Sequence, residues 1–129
     1  MKYLHEKHFT IEEARNLLSE IKPLVERMTQ LKKILDIKGY DIYRHRYFTG
    51  GPNGEKNYPV ELEELIAIIE RIESMGALVK GIEQGLIDFP HIRENGQEVY
   101  LCWMHGEDTI KFWHTISEGF MGRKPIEEI

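Results

Sequence analysis

The sequence predicts an α+β fold, predominantly helical: a long antiparallel helical hairpin, then a small β-hairpin or sheet, then a short C-terminal helix. Three observations carry this. Apolar residues recur at gaps of three and four from Ala14 to Leu35 and again from Leu62 to Met75, the stripe of an amphipathic helix. After Gly76 that period gives way to short apolar runs separated by Gly81, Gly85 and Asn95-Gly96. Asn-Gly between two such runs is a strong hairpin signal. A chain of 129 residues is one domain, 1–129, by the usual length prior.

The first helix is expected over 9–48. Thr10-Ile-Glu-Glu13 is a capping box, in which Thr10 accepts from the Glu13 amide and Glu13 reaches back to the Thr10 amide. Ala14, Leu17, Leu18, Ile21, Leu24 and Val25 begin its stripe, which Met28, Leu31 and Leu35 continue. Pro23 removes one backbone bond and predicts a kink there, not a stop. Gly50-Gly-Pro-Asn-Gly54 joins the two helices. The second helix, 58–76, starts with Pro59 in its first turn and ends at Gly76.

The β element spans 77–104. A two-residue turn at Asn95-Gly96 sets Glu94 against Gln97, and so Phe89 against Cys102, Asp88 against Trp103, and His91 against Tyr100. Asp88 and Cys102 then fall on opposite faces, converging only through a bulge near Pro90. Both faces are largely apolar and should be covered. Asp108 is placed to cap a short helix over 108–118, ended by Gly119.

Composition narrows the function. The chain is 41% hydrophobic and 30% charged, an ordinary globular balance. No window resembles a membrane span, and the N-terminus lacks an apolar signal core. One cysteine excludes an internal disulfide and fits a reducing, cytoplasmic setting. Residues 1–58 carry 11 Lys/Arg against 8 Asp/Glu, and the remainder 6 against 14. That acidity argues against nucleic acid as a partner, although Tyr40–Phe48 interleaves basic and aromatic residues in a way suited to stacking on bases. The two apolar stripes exceed what a small β element can cover, so a homodimer through the long helices is expected.

The chemistry-bearing residues concentrate in the last third. Asp88, Glu107 and His114, with Cys102 as a fourth, are ligand types for zinc and related divalent ions. On the expected helix His114 points inward beside Trp113. No CxxC, HxxxH or HExxH spacing accompanies them. Cys102 as a nucleophile with His114 as base needs a nearby cation or helix N-terminus; between Leu101 and Trp103 it reads as a small buried hydrophobe. Asp88, Trp103 and Arg123 form a candidate ligand-binding set, with Arg123 either clamping Asp88 or taking an anion. His5-x-x-His8 reads as solvated polar surface ahead of the first helix.

Phe9-Thr-Ile-Glu-Glu-Ala14-Arg-Asn-Leu-Leu18, Pro23, Gly85-Leu-Ile-Asp-Phe-Pro90, Tyr100-Leu-Cys-Trp103, Gly106-Glu107, Trp113-His114 and Gly119-Phe-Met-Gly-Arg-Lys-Pro125 resemble the small prokaryotic family called domain of unknown function 2203. The resemblance covers nearly the whole chain and brings no established activity with it. The chain departs from that pattern at Met104-His105, where Arg or Lys is expected after the tryptophan, and in a longer, more aromatic segment from Gly39 to Tyr58. The leading functional expectation is a homodimeric, non-enzymatic interaction or regulatory protein with a polar cluster where the β-hairpin meets the last helix. Its alternative is a small metal- or anion-binding protein or enzyme using Asp88, Glu107, His114 and Cys102.

Overall fold

Helices on one face of an antiparallel sheet build the protein, in a computed structural model that describes residues 2–49 and 58–129, without the side chains of Arg46 and Thr49. Helix α1 spans Ile11–Ile37. A 3-10 turn at Ile42–Arg44 and the single turn α2 (Arg46–Thr49) follow, then α3 (Val60–Ser74). The strands are β1 (Leu78–Gly81), β2 (Leu86–Ile92), β3 (Glu98–Met104), β4 (Phe112–Thr115) and β5 (Lys124–Pro125). They lie in the order β1-β2-β3-β4-β5, every neighbouring pair antiparallel.

The capping box forms as the residues dictate. Thr10 Oγ1 accepts from the Glu13 amide at 3.0 Å, and Glu13 Oε1 accepts from the Thr10 amide at 2.8 Å. α1 runs on through Pro23. It ends eleven residues short of the expected 48, because Gly39 turns the chain with a φ of +74° and the Tyr40 amide donates back to the Leu35 carbonyl.

The expected long helical hairpin is therefore corrected. One long helix of 27 residues and one shorter helix of 15 residues share the layer, tied across by Arg27–Glu64 at 2.7 Å and Lys38–Glu61 at 2.9 Å. The Gly50–Gly54 connection lies outside the described residues.

The C-terminal helix is corrected too. Asp108 pairs with Lys111 at 2.7 Å instead of capping a helix, and Phe112-Trp-His-Thr115 extends as β4. Three aromatic or ring-bearing residues followed by a β-branched one suit a pleated, half-buried surface better than a helix.

The register of β2 and β3 differs from expectation by one residue. Arg93 and Gln97 close the loop, with the Arg93 amide donating to the Gln97 carbonyl and the Gly96 amide to the Arg93 carbonyl. Glu94, Asn95 and Gly96 make a three-residue turn whose last position, at φ +87°, needs glycine. Phe89 consequently pairs with Leu101, Asp88 with Cys102, and His91 with Val99.

A one-residue slip changes which faces meet. Ile87, Phe89, Val99, Leu101, Trp103 and Trp113 now share the face under the helices. There they meet Ala14, Leu18, Ile21, Val25, Met28 and Leu31 of α1, all 2% exposed or less, and Leu62, Leu65 and Ile72 of α3. Leu17 and Leu24, of the same stripe, are partly buried against this core. No helix among the described residues is long and apolar enough to cross a membrane.

Candidate metal centre

The sheet face turned away from the helices carries Asp88 on β2, Tyr100 and Cys102 on β3, and Phe112 and His114 on β4. Direct pairing of Asp88 with Cys102, and of Tyr100 with His114, sets these side chains side by side. Asp88 and His114 are each 2% exposed and Cys102 is fully buried. One ligand atom from each of the three lies within 4.8 Å of the others.

His114 is held at both nitrogens. Nδ1 donates to the Thr115 carbonyl at 2.7 Å, which turns Nε2 toward Asp88, 3.0 Å from Oδ2 and 3.1 Å from Oδ1. Both partners are acceptors, an arrangement that favours the doubly protonated ring when no ion is bound. Burial pulls the His114 pKa down, but the hydrogen bonds to Asp88 and Thr115 outweigh it and hold it above its ordinary value. Cys102 is raised as well: burial, reinforced by the Asp88 charge, pushes its thiol up to about 12. The cysteine is a neutral thiol in this state, without the thiolate a nucleophile requires.

Glu107 and Arg123, expected among the site residues, turn to each other instead. Arg123 donates to Glu107 Oε1 at 3.2 Å and Oε2 at 2.8 Å. Its guanidinium lies 3.9 Å from the Phe112 ring centroid and 4.6 Å from that of Phe120. Glu107 Oε1 also accepts the Met104 amide at 2.7 Å. The clamp exists, but with Glu107 in place of Asp88. Nη1 of Arg123 reaches 4.0 Å from Cys102 Sγ, so this cation borders the cluster without entering it.

Trp103, the remaining expected ligand contact, faces the helix side, 1% exposed, and donates to the Glu107 carbonyl at 2.9 Å. Alternation along β3 separates it from Cys102, so it cannot line the same site. Replacing Arg123 by Ala is expected to cost about 1–3 kcal/mol, because Glu107 is stranded and two aromatic contacts go. A urea titration checks it; a change under about 0.5 kcal/mol would mark the pair as solvated.

Sequence reasoning passed over Tyr100. Its ring stands 5.5 Å from that of His114, and its hydroxyl meets His5 Nε2 at 2.5 Å. His8 Nε2 lies 2.7 Å from Glu98 Oε2, and the same carboxylate accepts the Leu4 and His5 amides. His5 and His8 therefore strap the N-terminal segment across β3, not into solvent. Only the alternation of Glu98, Tyr100 and Cys102 hinted at this.

Fold and site together describe an α+β protein with a three-donor cluster buried in an antiparallel sheet. The chain belongs to the family described as uncharacterized conserved protein (DUF2203), whose model matches residues 7–126. No curated protein and no solved structure matches it.

Proposed function

We propose that the protein binds a single divalent transition-metal ion, zinc by preference, through Asp88, Cys102 and His114. The carrying observation is the convergence of three different ligand types, all buried, within 4.8 Å. Ligands 2.0–2.1 Å from one ion at a tetrahedral angle are about 3.3 Å apart, close to the 3.0 Å between His114 Nε2 and Asp88 Oδ2. The Thr115 carbonyl on Nδ1 supplies the outer-sphere partner that fixes a ligating histidine.

Charge supports the same reading. A carboxylate, a thiolate, a neutral imidazole and a divalent ion sum to zero, which a buried pocket tolerates. The mixed nitrogen, sulfur and oxygen donors suit a borderline-soft ion better than calcium or magnesium. Three protein ligands leave one tetrahedral position for water or a small ligand.

Cobalt substitution tests it. One equivalent of Co²⁺ should produce tetrahedral d–d bands and a sulfur-to-metal charge-transfer band, the latter absent in Cys102→Ser. Uptake well below one equivalent, or a spectrum with no thiolate band, would reject the reading and leave the cluster as a hydrogen-bonded structural pair.

A further inference from the structure

A second site stands at the open edge of the sheet, away from the metal cluster. The 3-10 turn Ile42–Arg44 and α2 bring Tyr43, Tyr47 and Phe48 over edge strand β1. Phe48 meets Tyr43 at 5.5 Å between centroids and 67° between planes, and Tyr47 at 5.0 Å and 81°. These edge-to-face contacts hold the three rings together, and with Ile69, Val79 and Ile82 they line a cavity of about 410 Å³. Tyr43 is 47% exposed and Tyr47 38%, so ring surface remains open to a ligand.

The charge at this corner is negative. Glu73 lines the cavity and accepts the Val79 amide at 3.2 Å. Among the described side chains, no cation lies within ion-pair distance of it. Glu83 also lines the cavity but is engaged by the Tyr43 hydroxyl at 2.7 Å and by Lys32 at 3.5 Å. Lys80 touches the rim, yet its ammonium lies 4.6 Å from the Tyr100 centroid, on the Asp88 face of the sheet. Burial, then the charges of Glu73 and Glu70, push the Tyr47 phenol up, which keeps it neutral at physiological pH.

We propose that this corner binds an organic cation of the methylated or quaternary ammonium class, with Tyr43, Tyr47 and Phe48 supplying ring surface and Glu73 the countercharge. Ring faces attract a cation through their quadrupole, and the attraction grows as water is excluded. A bare ammonium is compact and strongly hydrated, so it gives up more on meeting an apolar lining. Methyl groups around the nitrogen reduce that cost and fill the space beside Ile69 and Val79. The site stands apart from the metal reading and does not depend on it.

Titration of the full chain with tetramethylammonium or choline, followed by NMR shifts of the aromatic resonances, tests the assignment. Saturable binding is expected, with 3,3-dimethylbutan-1-ol, the uncharged isostere of choline, weaker by about tenfold. Tyr47→Leu should weaken choline by a similar factor, and Glu73→Gln by a few-fold. Far-UV circular dichroism verifies that both variants fold. Equal affinity for choline and its neutral isostere would reduce the corner to an apolar groove and overturn the proposal. So would the absence of saturable shifts, or binding that survives both substitutions.

Discussion

In metal-free buffer near pH 5.5, Asp88→Ala is expected to unfold about 3–5 kcal/mol more easily than the parent protein, the usual consequence of stranding one member of a buried ion pair. The dependence on pH identifies the cause. The folded-state pKa of His114 is raised, so its contribution is fully present below the unfolded value of about 6.5 and fades as pH climbs through the higher folded value. In the variant the ring can escape its buried charge only by losing a proton, which costs more in acid. The gap between variant and parent should therefore narrow above pH 8, roughly, in denaturant titrations. A gap under about 1 kcal/mol, flat across that range, would show that no charged pair is buried there.

Zinc should reverse that trend. To take up the ion, Cys102 gives up a thiol proton held up to about 12 and His114 gives up its Nε2 proton. Apparent affinity therefore rises with pH, and calorimetry in buffers of different ionisation enthalpy should register proton release. At a free concentration near 1,000 times the dissociation constant, binding adds about 4 kcal/mol of stability. For a domain of this size that raises the melting temperature by on the order of 10 °C. Cys102→Ser and His114→Ala should both lose most of that gain. Retention of the full shift by either variant would place the ion elsewhere.

How much of this was legible in the sequence differs by element. Thr10-Ile-Glu-Glu13 specified the start of α1, because capping is chemistry between neighbours and needs no tertiary context. The two apolar stripes were legible for the same reason, while the partner they pack against was not. The hairpin reading paired them chiefly with each other, whereas the sheet takes much of both. Asn95-Gly96 marked the hairpin, but the same dipeptide serves a two-residue turn and the last two positions of a three-residue one. That single residue decides whether Asp88 and Cys102 share a face. Alternation told which residues of β2, and which of β3, share a face, but not which face of one strand meets which face of the other. His114 was placed on a helix because Asp108 resembles a cap, although Phe112-Trp-His-Thr115 carries strand propensity.

Consecutive strands are neighbours throughout the sheet, and this bears on how the protein reaches its native state. Asp88, Cys102 and His114 belong to strands joined by short connections, so the cluster assembles once two successive hairpins have closed. Closing such loops carries little entropy penalty, and local pairings form early compared with contacts between distant segments. Docking of α1 and the segment ahead of it brings together residues such as Phe9 and Phe89, far apart along the chain, and belongs to a later step. Substitutions in the Glu94–Gly96 turn should then slow refolding, while those in the stripe of α1 should chiefly hasten unfolding.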